Sequence, residues 1–221
     1  MTEIYLIRHG VTDNNLNGVF QGLTDAPLNE LGLRQAECLG ERFRDVHVDK
    51  IYASPLKRAV QTAEGANLYK KLPIHRCEGI IEVNGGDMEG LTMEENMRLY
   101  ADVIRNMREA PAKFRAPNGE SMIEVYERVS KAMTELAREN DGKTIVVVSH
   151  GCAIRTFAHF VTGLPAEEMG TGTVNNAAVS KFLYNPKTDR FTVEYREDDS
   201  HLPTELKTIP TKRYMAGEDK A

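Results

Sequence analysis

Two short stretches of this chain set an imidazole beside groups that could do chemistry with it. Arg8-His9-Gly10 and Ser149-His150-Gly151 each place a histidine before a glycine, and Arg58 adds a second guanidinium. Guanidinium groups present paired donors that match phosphate oxygens. An imidazole is nucleophilic near pH 7, and arginines beside it lower its pKa and keep it neutral. One histidine of such a pocket could attack phosphorus while a backbone carbonyl fixes its other ring nitrogen. The resulting phosphohistidine is labile, so one hard displacement is split into two easier ones. Clamping the equatorial oxygens of the transferring phosphoryl group is then the main catalytic term. A carboxylic acid must protonate the leaving oxygen and later activate water. The acidic, glycine-rich stretch Glu78–Gly90 offers Glu82, Asp87 and Glu89 for that task.

The elements around these residues are arranged to bring them together. Ile4-Tyr5-Leu6-Ile7 and Ile145-Val146-Val147-Val148 are continuous apolar runs, which read as buried strands of a parallel sheet. Ligands of such sheets bind beyond the carboxyl ends of the strands. Both histidines stand at such ends. Lys50-Ile51-Tyr52-Ala53 reads as another strand, followed by a helix with Ser54 as cap and Pro55 at its first position, so Arg58 falls in the first turn. Leu72–Cys77 is a further strand. Asn29 caps a helix whose Leu33, Ala36, Leu39 and Phe43 recur at helical spacing, and Ser121 caps a longer one with Met122, Val125, Val129, Met133 and Leu136 in step. Met93–Arg108 reads as a helix inserted over the site. Its basic residues Arg98, Arg105 and Arg108, with Lys113 and Arg115 beyond, read as a solvated face, with substrate steering as the minor alternative. Ala177–Tyr184 and Arg190–Tyr195 form an antiparallel hairpin at a sheet edge, where a second copy could pair to give a homodimer.

Composition narrows the classes of function. The chain has 221 residues, 28% charged and 41% hydrophobic, with a formal net charge of −5. That balance suits a globular domain and argues against general affinity for nucleic acid or an anionic membrane. Three widely spaced cysteines, Cys38, Cys77 and Cys152, show neither a disulfide framework nor a zinc signature. No leader or apolar span of transmembrane length is evident, so a cytoplasmic location is expected. A divalent metal held by His9, His150 and an acid is disfavoured by the arginine beside His9. A serine hydrolase is weaker still, because Gly-x-Ser-x-Gly is missing and Ser149 precedes a histidine at a strand end.

The ordered motifs resemble the histidine phosphatase superfamily, also called the phosphoglycerate mutase-like family, over nearly the whole chain up to the hairpin. Arg8-His9-Gly10-Val11-Thr12 with Asn15 is similar to the family's opening motif, and Gln21-Gly22, Asp25, Pro27-Leu28, Gly32 and Gln35-Ala36 match the segment that follows. Ser54-Pro55-Leu56-Lys57-Arg58-Ala59 with Gln61-Thr62-Ala63 resembles the block carrying the second arginine. Glu82, Gly86 and Glu89-Gly90 resemble the acid loop. Gly119-Glu120-Ser121, Ser149-His150-Gly151 with Ile154-Arg155, and Asn176 also fall where the family has them.

The resemblance implies a three-layer α/β/α sandwich with a mostly parallel sheet and an antiparallel edge hairpin. It implies His9 as nucleophile, Arg8, Arg58 and His150 as the phosphate clamp, and Glu82 as the acid/base. Asn15, Gln21 and the Gly151 N–H are implied as further oxygen contacts, and no metal or cofactor is expected. The domain is expected over 1–200 with a helical insertion at about 84–116, followed by a tail at 201–221. Val11 stands where many relatives have glutamate and Met88 where tryptophan is common. The stretch 93–116 lacks the adjacent arginine pair of the mutases, and Gln61 stands where their second block has arginine. A phosphatase acting on a small phosphorylated metabolite is therefore favoured over a phosphoglycerate mutase. A phospho-ligand binding protein is a third reading, which would need the arginines but not Glu82.

Overall fold

The first strand is the one that the others flank. In the computed structural model, which describes residues 1–208, β1 (Thr2–Arg8) lies between β4 (Thr144–Ser149) and β5 (Val179–Asn185). The six-stranded sheet runs β3 (Ile74–Arg76), β2 (Lys50–Ala53), β4, β1, β5, β6 (Arg190–Asp198). The first four strands are parallel and the last two antiparallel. Arg8 is the register partner of Ser149, and the His9 N–H donates to the Ser149 carbonyl at 3.0 Å. The residues that follow, His9 and His150, therefore leave the sheet side by side.

Both faces of the sheet are covered, which is why its central strands are apolar without alternation. Ile4, Leu6 and Val147 face α6 (Met122–Glu139) and α7 (Gly151–Phe160). Ile7, Val146 and Val148 face α2 (Glu30–Phe43) and α3 (Lys57–Ala66), and the short helix α1 (Asp13–Leu16) stands between β1 and α2 in the chain. On α6 the whole stripe Met122, Val125, Val129, Met133 and Leu136 is buried. Burying such side chains is worth about 1.5–3 kcal/mol each before the entropy of ordering them. Ser121 caps α6 in a capping box with Glu124, and the Asn29 side chain accepts the Gly32 N–H at the start of α2. No helix among the described residues is long and apolar enough to cross a membrane.

Four local expectations are corrected. Leu33 is 46% exposed, so α2 packs through Ala36, Leu39, Gly40 and Phe43 instead. Helix α3 starts at Lys57 with Leu56 in the cap position, because the Ser54 hydroxyl is engaged elsewhere and Asp25 accepts the Lys57 N–H at 2.7 Å. The insertion is two helices, α4 (Met93–Leu99) and α5 (Ala101–Glu109), which meet at Tyr100 with non-helical φ −133° and ψ 46°. Strand β6 continues past Tyr195 to Asp198, its register shifted by an irregularity opposite Val179 and Lys181. Beyond it Leu202 and Leu206 are buried, and the Leu206 carbonyl accepts from Gln35 at 2.7 Å. The part of the expected tail from 209 to 221 lies outside the described residues.

Helix α2 reaches the site through two glycines. A Cβ on Gly32 would stand 2.1 Å from the Val11 carbonyl oxygen and 2.8 Å from the Val11 nitrogen; one on Gly10 would stand 2.8 Å from the Gly32 carbonyl oxygen. Backbone meets backbone here, so neither clash can be relieved by a rotamer change. Gly32→Ala is expected to destabilise the protein by about 1–3 kcal/mol, read as a lower urea midpoint at unchanged m-value. A variant with the wild-type midpoint would show that this contact yields freely.

Candidate active site

His9 follows β1 and is 2% exposed. Its Nδ1 lies 2.6 Å from the Gly10 carbonyl oxygen. A carbonyl only accepts, so Nδ1 carries the proton and Nε2 is left with its lone pair. Burial, then the charges of Arg58 and Arg8, hold the His9 pKa well below its usual value of 6.5, against the opposing pull of the Gly10 carbonyl. The ring is neutral at pH 7 and its free nitrogen is basic, the state a nucleophile needs.

The Gly10 carbonyl is itself held. The Gly10 N–H donates to Thr62 Oγ1 at 2.9 Å, whose hydroxyl donates to the Arg58 carbonyl at 2.7 Å. From the other side, the Asn176 amide donates to the His9 carbonyl at 3.0 Å and to the Gly10 carbonyl at 3.3 Å. The next residue is fixed to α2, since the Val11 N–H donates to Gln35 Oε1 at 2.9 Å. Thr62, Asn176 and Gln35 thus orient the loop that carries His9. The sequence shows them inside the motifs but gives no sign of this task, which depends on long-range contacts.

His150 is the residue before α7, with its ring centroid 5.2 Å from that of His9. Its Nε2 lies 2.7 Å from Ser54 Oγ, and its buried Nδ1 has no partner among the described residues. With Ser54 donating to Nε2, Nδ1 carries the proton and is a donor that no described group satisfies. Burial, with Arg58, His9, Arg8 and Arg128 adding repulsion, lowers the His150 pKa well below 6.5. The Ser54 hydroxyl that sequence reasoning assigned to a helix cap is therefore bonded to a histidine ring instead.

Arg58, in the first turn of α3, is 1% exposed. Its Nη1 donates to the Thr24 carbonyl at 2.7 Å and its Nη2 to the Gly22 carbonyl at 2.8 Å, while Nε has no partner among the described residues. Burial lowers its pKa to about 10, partly offset by the charge of Glu82. It remains a cation at pH 7. Arg8 ends β1, donates from Nη1 to the Val174 carbonyl, and also has an unpartnered buried Nε. Burial lowers its pKa as well, with Glu82 pulling the other way.

The three candidate acids separate clearly. Glu82 sits at the N-terminus of α7, accepting from the Val83 N–H at 2.9 Å, the Cys152 N–H at 3.2 Å and the Ala153 N–H at 3.3 Å. A Cβ placed on Gly151 would be 3.6 Å from Arg8 Nε and 3.8 Å from Glu82 Oε2, so Gly151 keeps this corner open. Glu89 instead ties two loops together, accepting from the Leu23, Thr24 and Gly85 N–H groups and the Thr24 hydroxyl at 2.8–2.9 Å. Asp87 is exposed and bonds to Asn118 at 2.8 Å. Cys152, beside Glu82, has its thiol pushed up to about 12 by burial and by that carboxylate, so it stays protonated.

Asn15 and Gln21 are drawn in through Thr12. Thr12 Oγ1 lies 3.0 Å from Gln21 Oε1 and 3.2 Å from Asn15 Oδ1, and Asn15 also accepts from Asn176 at 3.3 Å. The side-chain nitrogens of Asn15 and Gln21, like the Gly151 N–H, bond to no described protein group. Around Arg8, Asn15 and Cys152 opens a cavity of about 580 Å³. Leu16, Phe20, Leu31, Met93 and Met107 line it, with Arg108, Arg155, Lys207 and the loop 171–176. The insertion was expected here; Arg155 stands in the sequence only as part of the motif around His150, and the loop 171–175 carries no local sign of this placement. Of the basic run, Arg105 and Arg115 pair with Asp102 and Glu124 at the surface, whereas Arg108 turns inward.

A family model described as histidine phosphatase superfamily (branch 1) matches residues 4–198. An uncharacterized phosphatase, PhoE, from Bacillus subtilis is 38% identical over 202 residues, covering 91% of this chain and 97% of the relative. Phosphoserine phosphatase 1 from Hydrogenobacter thermophilus is 34% identical over 180 residues, covering 81% of this chain and 85% of the relative. Among solved structures, Bacillus stearothermophilus YhfR superposes with a TM-score of 0.85 at 29% identity, over 91% of this chain and 99% of that one. The motifs, the layered sheet and the paired histidines at adjoining strand ends agree with these matches: the chain belongs to the histidine phosphatase superfamily.

Proposed function

We propose that the protein hydrolyses small phosphate monoesters through a phosphohistidine on His9, without a metal ion. One observation carries this reading. A buried neutral imidazole has its Nδ1–H bonded to the Gly10 carbonyl at 2.6 Å, and its other nitrogen is free within a ring of phosphate donors. The unused Nε–H groups of Arg8 and Arg58 and the unpartnered Nδ1 of His150 supply those donors. With the Gly151 N–H they clamp the phosphoryl oxygens while His9 Nε2 attacks phosphorus and the ester oxygen departs. Glu82 gives that oxygen its proton. Its carboxylate then takes a proton from the water that attacks phosphorus and frees His9. Asn15 and Gln21 contribute amide N–H groups at the edge of the clamp. Two guanidinium groups over the imidazole repel a cation, which supports chemistry on the ring rather than at a metal.

Support for hydrolysis over mutase chemistry comes from relatives named phosphatases and from the absence of an adjacent arginine pair in the insertion. The substrate is a small phosphorylated metabolite, and the site of action is the cytoplasm. The test is phosphate release from p-nitrophenyl phosphate in excess EDTA. Turnover unchanged by EDTA is expected. Loss of turnover with EDTA, restored by a divalent metal, would overturn the metal-free reading. Incubation with 3-phosphoglycerate followed by phosphorus NMR separates the mutase, which would exchange positions without releasing phosphate.

A further inference from the structure

We infer that the cavity beside the phosphoryl site takes a substrate whose body carries a second anionic group, bound by Arg155 and Arg108. Three arginines of this molecule line one cavity and bury an Nε that has no partner among the described residues: Arg8, Arg108 and Arg155. The proposed clamp uses Arg8. Neither Arg108 nor Arg155 pairs with a carboxylate among the described residues, unlike the neighbouring Arg105 and Arg115. Of its other four N–H groups, Arg155 uses one on the Gly172 carbonyl at 3.2 Å and one on the Met122 thioether at 3.8 Å, a weak acceptor. Among the described residues no aspartate or glutamate lines the cavity. A partly buried guanidinium with poor acceptors gains strongly from a carboxylate or phosphate oxygen.

Position sets the spacing. Arg155 stands one turn along α7 from Gly151, a rise of about 6 Å. The same cavity has apolar walls supplied by Phe20, Met93 and Met107. A fitting substrate is a phosphate ester with an apolar body and a carboxylate or second phosphate at its far end. A cationic ammonium group finds no counter-charge on the cavity wall.

The inference rests on the proposed phosphatase site only for where the first phosphoryl group binds, so binding is measured apart from turnover. Calorimetry compares benzylphosphonate with 4-carboxybenzylphosphonate, which are not hydrolysed, on the wild-type protein, Arg155→Gln and Arg155→Lys. The wild type is expected to bind the carboxylated probe about tenfold or more tightly. Arg155→Gln should erase that preference while leaving benzylphosphonate affinity within about twofold, and Arg155→Lys should restore part of it. Equal affinities in the wild type, or a preference that survives in Arg155→Gln combined with Arg108→Gln, would overturn the inference. A parallel assay on phenyl phosphate reports the catalytic reading separately. Absent turnover with the binding preference intact would sink the phosphatase and leave the second anion site standing.

Discussion

His9→Ala is expected to lower turnover of p-nitrophenyl phosphate by about 10⁴-fold or more while the protein stays folded. Among the described residues His9 is the imidazole whose Nδ1–H is fixed by a carbonyl, which leaves the Nε2 lone pair free, whereas the His150 Nε2 is already bonded to Ser54. Removing the ring leaves Arg8, Arg58 and His150 in place, so affinity for a non-hydrolysed phosphonate should change little. Rapid quenching with a ³²P-labelled ester gives the matching chemical signature. The wild type should accumulate an acid-labile, base-stable phosphoenzyme that the variant cannot form. Circular dichroism of the variant guards against simple unfolding. A folded variant that keeps a tenth of wild-type turnover would remove His9 from the nucleophile's role, and His150→Ala would be examined next.

The second large effect depends on the leaving group. Glu82→Gln should slow an alkyl phosphate by roughly 10²–10⁴-fold, the range general acid catalysis supplies, and p-nitrophenyl phosphate by far less. The nitrophenolate leaves without a proton, whereas an alkoxide does not. Glu82 lies against the α7 N-terminus near Arg8 and Gly151, where the departing oxygen would be met. Equal losses on both esters would mean that the substitution has disturbed the three N–H groups Glu82 holds rather than removed an acid. Glu89 and Asp87 are spent on loop contacts, so neither is placed to take over.

What could be read in the sequence followed from how local each signal is. The runs Ile4–Ile7 and Ile145–Val148 name their own strands, and the parallel register of Arg8 with Ser149 then brings the two histidines together. Ser121 and Asn29 cap the helices their spacing suggests. Ser54 has the same local pattern, a cap residue before proline, yet its hydroxyl bonds to a histidine far along the chain. No window around residue 54 contains that information. The choice among Glu82, Asp87 and Glu89 was likewise undecided by composition, and only the fold shows that Glu82 meets the N–H groups opening α7 while Glu89 and Asp87 meet loop groups. Arg108 reads as one more solvated cation of a basic helix, and only the fold turns it toward a cavity.

The central place of β1 has a consequence for synthesis. The strand is bounded by β4 and β5, and its last residues lead into a loop fixed by Gln35, which in turn holds Leu206. As the chain emerges from a ribosome at roughly 5–20 residues per second, the segment carrying His9 waits on the order of ten to forty seconds for the last of these partners. For most of that interval, until β4 is made, an apolar strand has neither of its neighbours. The loop carrying His9 is therefore made well before its last partner, and nascent chains stalled before residue 144 should expose β1 to chaperones as an unpaired strand.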